Sequence, residues 1–358
     1  MHKKLYIPGP VEVAPDVLQA MAAPMVGHRM KEYAVLHRRV TDGLKKLLNT
    51  SDPVFLSTSS AFGVMEGTVR NLVQKRCANF ANGAFSAKWH DVTRRCGLEA
   101  DLFSVEWGKP VTPEMVDGAL ATGKYDAMTL VHNETSTGVM SPLEEIAAVM
   151  KNYPEVSFIV DTVSSMSAVP LELEALETDV CLAGVQKAFG LPPGLAVFAV
   201  SRKALDKART TPARGYYFDF EEFENNDSKD NTPSTPCISL IHALDHQLGK
   251  MFAEGLDTRY ARHRKMAEAT RSWALAQGFP LFAAEGYRSM TLTSGSNDGR
   301  TDLDKLKKLA GDRGYAIDNG YGKIKNQTFR IAHMADFTMA DMEELFALLE
   351  ELLPEARS

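Results

Sequence analysis

Apolar and polar positions along the chain fall into two alternating rhythms. Between residues 32 and 48, Tyr33, Leu36, Val40, Leu44, Leu47 and Leu48 recur at helical spacing, which predicts an amphipathic helix. Short runs rich in β-branched residues then alternate with helical stretches. PVFLS (53–57) precedes a helical 63–75, and AMTLVHN (127–133) precedes the helical PLEEIAAVMKN (142–152). VSFIVD (156–161), DVCLAG (179–184) and LAVFAV (195–200) follow. Strand-like runs separated by helices predict parallel strands covered on both faces, an α/β class.

From 203 to 236 the rhythm breaks. DFEEFENNDSKDNTPSTP is acidic and polar, so a long surface excursion is expected there. A long helix is expected over about 237–276, carrying Leu240, Ile241, Leu244, Leu248 and Phe252. Beyond it come SMTLTS (289–294), the helical TDLDKLKKLAGDRG, the strand-like TFRIAHM (328–334) and a last helix at 338–352. At 358 residues the chain exceeds a single core, so more than one domain is expected. The division expected is an N-terminal segment (1–20) lying near the active site and small domain, a large domain (21–260) and a small C-terminal α/β domain (261–358).

Composition narrows the function classes. With 44% hydrophobic and 24% charged residues, the chain can bury a large interior. A net charge of −6, with scattered Lys and Arg, argues against a nucleic-acid surface. The four cysteines, at 77, 96, 181 and 237, form no CxxC pair and suit reduced thiols. MHKKLYIPGPVEV contains no apolar signal-peptide region, and Leu195–Val200 is too short to span a bilayer, so a cytoplasmic protein is expected. No HExxH, P-loop or GxSxG occurs, and the nine histidines form no ligand-spaced set.

Candidate chemistry stands at the strand ends, where open α/β sheets place their sites. Ser57 to Ser60, His132 to Thr137, Asp161 to Ser165 and Gln186-Lys187 all lie at such ends. Burial would disfavour the Lys187 ammonium and leave a nucleophilic amine, able to condense with a carbonyl such as that of pyridoxal phosphate. That cofactor needs an acid at its ring nitrogen, which Asp161 could be, and phosphate donors, which Ser59 and Ser60 before a helix could supply. Plainer readings stand beside these. A lysine after an apolar strand is commonly a surface residue, an aspartate there a turn former, and STSSAFG a capped loop.

Read together, YIPGPVEVAPDVLQAM, GHRMKEY, HNETSTGVMSPLEEI, VDTVSS, QKAFGLPPGLAVF, TPSTPCISLIHAL, EGLDTRYARHR and FRIAHM run in order over nearly the whole chain. In these segments the chain resembles the class V, fold-type I pyridoxal-phosphate aminotransferases, most closely the alanine/serine–glyoxylate (or pyruvate) branch. The resemblance implies a large domain built on a mostly parallel seven-stranded sheet, plus a smaller α/β domain. It implies that Lys187 holds the cofactor aldehyde and shuttles the proton, that Asp161 pairs with the pyridinium nitrogen, and that Thr135 bonds the phenolic oxygen. Gln186, Ser60, Ala61 and Phe62 fall at the phosphate, Phe85 over the pyridine ring, and Arg330 at the substrate α-carboxylate. Gly9, in the opening motif, is assigned to the substrate side of the pocket.

The chain also departs from the family pattern. Ser60-Ala61-Phe62 replaces the usual Ser-Gly-Thr, and Phe62 has no side-chain donor. NTPST (231–235) is similar to phosphoserine aminotransferases, which implies that Asn231 and Thr232 complete the site of a partner subunit in a homodimer. His28 and Arg29 resemble the same branch and could meet a distal acidic group, or could simply anchor a loop. The expected activity is transfer of an amino group between alanine or serine and glyoxylate or pyruvate, by a ping-pong route. Its rival is a phosphoserine:2-oxoglutarate aminotransferase. A desulfurase would need a cysteine late in the chain, and none follows Cys237. A catalytically silent relative would be expected to have lost Lys187 or Asp161.

Overall fold

The computed structural model describes residues 2–357. Seven strands form the main sheet: β1 (Val54–Ser57), β2 (Cys77–Ala81), β3 (Ala100–Ser104), β4 (Ala127–Val131), β5 (Ser157–Asp161), β6 (Val180–Gly184) and β7 (Ala196–Val200). Their order across the sheet is β1-β7-β6-β5-β4-β2-β3. Strands β3, β2, β4, β5 and β6 run parallel, whereas β7 is antiparallel to both of its neighbours. The reversal follows from chain length. Loop 185–195 is too short to carry a crossover helix, so the chain must return alongside β6.

Helices cover both faces, as the apolar strands require. Lys31–Leu48, Pro113–Leu120, Leu143–Met150 and Ile238–Glu254 close one face around Leu44, Phe80, Phe158 and Leu244. Ala61–Leu72, Ala84–Arg95 and Arg202–Thr210 close the other around Val69, Trp89 and Phe198. A separate core gathers Met266, Trp273, Leu306, Ile331, Met342 and Leu349 from the C-terminal part. It rests on a two-stranded antiparallel sheet of β8 (Leu292–Ser296) and β9 (Thr328–Ala332). Tyr6, from the N-terminal segment, enters this core and stacks on Phe337 at 4.5 Å between ring centroids.

Several elements differ from the expectation. The helix expected over 237–276 is two helices, Ile238–Glu254 and Leu256–Ala276, because Gly255 takes φ +85°, a left-handed conformation that breaks the ladder. The excursion at 203–236 holds two helices, Arg202–Thr210 and Phe220–Asp227. Phe220 and Phe223, three residues apart, face inward and meet Phe55 and Phe198 at 5.0–5.7 Å. Such ring pairs add about 0.5–1.5 kcal/mol each beyond their buried area, enough to anchor a segment that is otherwise polar. The helix after β1 spans Ala61–Leu72, two residues earlier than expected at its start. The last helix runs on to Ala356 through Pro354. No helix among the described residues is long and apolar enough to cross a membrane.

Candidate active site

The carboxyl ends of β4, β5 and β6 open into a cleft. Its walls include Ser60, Ala61, Phe62, Phe85, Asn133, Thr135, Asp161, Val163, Gln186 and Lys187. Sites expected from segments far apart in sequence therefore share one cavity.

Asp161 ends β5 with its carboxylate buried. Trp89 Nε1 donates to Oδ2 at 3.1 Å and the Val163 amide to Oδ1 at 3.0 Å. Burial pushes its carboxyl up to about 6; these two donors hold it down, and the Glu134 charge raises it further. Lys187 is 8% exposed, and its Nζ donates to the Pro8 carbonyl and, at 3.5 Å, to Thr135 Oγ1. Burial and then the nearby Arg330 charge lower its amine to about 7. A large share of this amine is therefore neutral at physiological pH.

The lysine is held from behind. Gly190 N donates to its carbonyl at 2.8 Å, closing the turn, and Gly190 sits at φ +72°. Arg259, only 1% exposed, gives Nη2 to the Ala188 carbonyl at 2.7 Å and Nε to the Ser167 carbonyl at 2.8 Å. One guanidinium thus ties the loop bearing Lys187 to the loop that follows Asp161. On the open side, Gly9 lies against the lysine chain; a Cβ there would come within 2.8 Å of Lys187 Cε. A side chain at position 9 would displace the amine.

Glu134, which the motifs did not single out, organises the wall opposite. Its buried carboxylate accepts from Ser86 N and Oγ (both 2.7 Å), Ser136 N (2.9 Å) and Oγ (2.7 Å), and Phe85 N (3.3 Å). Ser86 and Phe85 amides belong to the first turn of helix Ala84–Arg95, so the carboxylate caps that helix and meets the positive end of its dipole. Gly83 is required by proximity, since a Cβ there would lie 2.3 Å from Glu134 Cγ. The capped helix presents Phe85 and, four residues on, Trp89 to the cleft and to Asp161. Only their i, i+4 spacing in AFSAKWH signals this shared face. Thr135 in turn bonds Ser164 through their hydroxyls.

At the mouth, helix Ala61–Leu72 begins with Ser60 as its N-cap, whose hydroxyl makes no capping bond. The opening amides of the helix and that hydroxyl form an anion-binding end. Phe62 is 39% exposed. Lys88 Nζ stands 5.1 Å from the Phe62 ring, 5.4 Å from Phe85 and 6.0 Å from Tyr321. Arg330 reaches the same Tyr321 ring at 5.6 Å, gives Nε to Asp318 at 2.8 Å and Nη1 to the Thr135 carbonyl at 2.8 Å. It is not in the cleft wall itself, and among the described residues its Nη2 has no partner.

Four expected residues lie elsewhere in the chain. Asn231 and Thr232 form a turn, with Thr232 N on Asn231 Oδ1 at 2.9 Å, beside Ser57 and Tyr217 rather than in the cleft. His28 and Arg29 sit in the turn between the first two helices, Arg29 exposed, and neither lines the cleft. His132 and His333 are buried and neutral. His132 Nδ1 pairs with Ser165 Oγ at 3.0 Å, and His333 Nε2 with Thr293 Oγ1 at 2.9 Å. Burial lowers them to about 4 and about 3.

A mostly parallel sheet with a poised amine and a buried carboxylate at neighbouring strand ends is the architecture of an enzyme that handles amino groups. The family model for aminotransferase class V matches residues 17–275. An uncharacterized aminotransferase of Methanocaldococcus jannaschii is 36% identical over 93% of this chain and 88% of its own. A serine–glyoxylate aminotransferase of Methylorubrum extorquens is 33% identical over 93% and 86%. The crystal structure of alanine–glyoxylate aminotransferase from Nostoc sp. superposes with a TM-score of 0.94 at 27% identity, covering 99% of this chain and 96% of that one. The chain belongs to the class V aminotransferases, a family of pyridoxal-phosphate-dependent enzymes, and shares their fold-type I architecture.

Proposed function

We propose that this aminotransferase moves the amino group of L-alanine or L-serine to glyoxylate or pyruvate by a ping-pong route, on pyridoxal phosphate held at Lys187. The observation that carries the reading is the pairing of a half-neutral Lys187 with a buried Asp161 carboxylate across one cleft. The residues present fit the cofactor. Phe85 and Val163 are apolar walls for a flat ring, Ser60 and the helix start suit a phosphate, and Asn133 Oδ1 is buried in the wall without a protein partner. The substrates are taken from the named relatives, whose serine– and alanine–glyoxylate activities belong to this branch.

When bound, pyridoxal phosphate supplies a carbonyl that condenses with amines and a ring that accepts an electron pair. Everything else falls to the chain. Lys187 would hold the cofactor's aldehyde, and its Nζ would serve as the base that takes the substrate's Cα proton and as the acid that gives it back. Asp161, ionised above about 6, would hold the ring nitrogen and favour its protonated form. Arg330 receives the α-carboxylate on the guanidinium edge not used by Asp318, which fixes the Cα–H toward Lys187. Thr135 would hold the phenolic oxygen, Phe85 would cover the ring, and Ser60, Ala61, Phe62 and Gln186 would bound the phosphate. Gly9 leaves room for the amine. In the same reading the enzyme is a cytoplasmic homodimer, divided at 1–20, 21–260 and 261–358, with Asn231 and Thr232 completing the partner's site and His28 and Arg29 meeting the distal group of the substrate.

A second reading rests on Lys88. Its ammonium stands over three rings, and among the described residues no carboxylate pairs with it. That cation favours a substrate with a distal acid, as in a phosphoserine:2-oxoglutarate enzyme. Half-reactions followed by loss of the bound-cofactor absorbance decide between them. Alanine and serine should react faster than O-phosphoserine; the reverse order overturns the first reading. Borohydride reduction followed by mass spectrometry should find the cofactor on Lys187, and a label elsewhere overturns both.

A further inference from the structure

Segments that carry the proposed site residues meet in one small apolar cluster. Val11, Ala168, Ala188, Ala332, Met334 and Ala335, all buried, belong to it. Val11 follows Gly9, Ala188 follows Lys187, Ala332 follows Arg330, and Ala168 lies in the loop after Asp161. Most of these side chains are single methyl groups, so the backbones come close together; a Cβ on Gly190 would lie 3.0 Å from Ala335 Cβ. We propose that Arg259, with Arg262 beside it, is a positioning residue that fixes the segments of Lys187, Asp161 and Arg330 relative to one another. This role rests on the function proposed for those three residues.

Gly255 ends one helix and opens the next, so Glu254 stands beside the first turns of helix Leu256–Ala276. Arg259 and Arg262, three residues apart, share a face of that helix. Arg262 donates to both Glu254 oxygens, from Nε at 2.6 Å and Nη2 at 3.1 Å, and Arg259 Nη1 donates to Oε2 at 3.4 Å. Asp336 stands 3.7 Å from Arg259 Nη1 and is itself held by Gln247 and Lys250, both at 2.8 Å. Two acids therefore offset the charge of a guanidinium that is almost wholly buried. Its remaining donors go to backbone: Nε to the Ser167 carbonyl at 2.8 Å and Nη2 to the Ala188 carbonyl at 2.7 Å. Arg262 Nη1 reaches the carbonyls of Ala335, at 3.2 Å, and Phe337.

Two of these carbonyls belong to residues in a costly backbone state. Ser167 sits at φ +72° and Ala335 at φ +63°, left-handed values that residues with a side chain rarely adopt. Such conformations persist where the surroundings over-determine them, and they gather at functional sites. Here each is held by an arginine of the same hub. Without the forked guanidinium at 259, the loops after Lys187 and Asp161 lose their common tether. A displacement of about 1 Å at reacting atoms can cost about a hundredfold in rate.

The test uses the holoenzyme. Arg259→Lys keeps a charge for Glu254 and Asp336 but lacks the planar fork that spans two carbonyls. The ratio of circular dichroism to absorbance in the bound-cofactor band reads how firmly the cofactor is oriented, and in R259K it should fall by about half. With alanine, kcat should fall about thirtyfold while KM stays within about twofold. R262K, which loosens only the segment after Arg330, should raise KM about threefold and leave the ratio unchanged. Leu349→Ala, in the separate C-terminal core, should lower the melting temperature and change neither the ratio nor kcat. An R259K enzyme with the wild-type ratio and kcat overturns the role. So does an L349A enzyme that reproduces the R259K changes, because lost stability would then be sufficient. An unchanged KM in R262K removes Arg262 from the hub, and R262K carries the test if R259K does not fold. Borohydride labelling separates this role from the function: a wild-type label away from Lys187 overturns both. A Lys187 label in wild type and R259K, with ratio and kcat unmoved, overturns the positioning role alone.

Discussion

At the floor of the cleft and just behind it, Lys187, Asp161, His132 and Glu134 are all 8% exposed or less, and each has a hydrogen-bond partner inside the chain. At the rim, Phe62 and Tyr321 are 39% and 37% exposed, and Lys88 faces rings instead of an acid. The floor is complete within one chain, and its unusual protonation states follow from desolvation. The rim is unfinished, with apolar rings and a cation left facing outward. The proposed function therefore places chemistry at the floor and substrate recognition at the rim. Substitutions in the two regions should fail in different ways: at the floor turnover falls for every substrate, and at the rim the choice among substrates changes.

The largest effect is expected at the floor. Lys187→Ala removes both the tether and the proton carrier, so turnover should fall by several orders of magnitude with alanine and with O-phosphoserine alike. Asp161→Ala should be nearly as damaging, by about a thousandfold, because the ring nitrogen loses its acid partner. Single-turnover absorbance measurements read both. Substantial activity in either variant would remove the role assigned to that residue.

Next comes Glu134→Gln, which keeps the shape but turns an all-acceptor carboxylate into a group with one acceptor and one donor end. The Ser86 and Ser136 donors cannot all be satisfied afterwards. Leaving one or two buried donors unmet should cost about 3 kcal/mol of unfolding free energy, measured by urea titration. A loss below about 1 kcal/mol would mean that the floor is less tightly built than its hydrogen bonds imply.

Trp89→Phe makes a smaller and more informative change. It deletes one N–H donor to Asp161 and leaves the ring packing in place. That donor lowers the Asp161 carboxyl, so its loss should raise the value above about 6. The carboxylate form would then persist only at higher pH, and the acidic limb of the kcat/KM profile should move up by about one pH unit. A profile that scales down without moving would show a packing role for Trp89 and no hold on the carboxylate.

How much of this could be read from the sequence follows the same division. Asp161 and Lys187 announce themselves because each follows an apolar strand, and the strand-end rule turns position into a site. The helix Ala84–Arg95 does not, because its buried face is Ser86, Trp89 and Thr93, which make no apolar stripe. Strand β3 is half exposed on alternate residues and likewise gave no run. Glu134 is hidden for another reason: its outermost partners lie 48 and 49 residues away and are mostly backbone amides, which carry no residue signature. Arg259 binds the carbonyls of Ser167 and Ala188, again invisible to residue types. Gly255 could have divided the expected long helix, had its cost in a helix interior been weighed against the continuing apolar pattern. Seen in one chain, Asn231, Thr232, His28 and Arg29 stand outside the cleft.

The smallest predicted change lies at the rim, where Lys88→Met tests whether recognition is separable from chemistry. Methionine keeps an unbranched chain against Phe62, Phe85 and Tyr321 and removes only the charge. The ammonium is partly hydrated, so its attraction for a distal acid is worth about 0.5–1 kcal/mol. KM for O-phosphoserine should then rise about threefold to fivefold, while kcat, set by Lys187 and Asp161, stays within about twofold. With alanine, which has no distal group, both constants should stay within about twofold. Raised salt should narrow the difference between the two donors in the wild type and leave the variant unmoved, because screening acts only on the charge that was removed. A fall in kcat for alanine would place Lys88 with the floor and end the separation of the two regions. An unchanged KM for O-phosphoserine would leave the rim cation without a part in substrate choice.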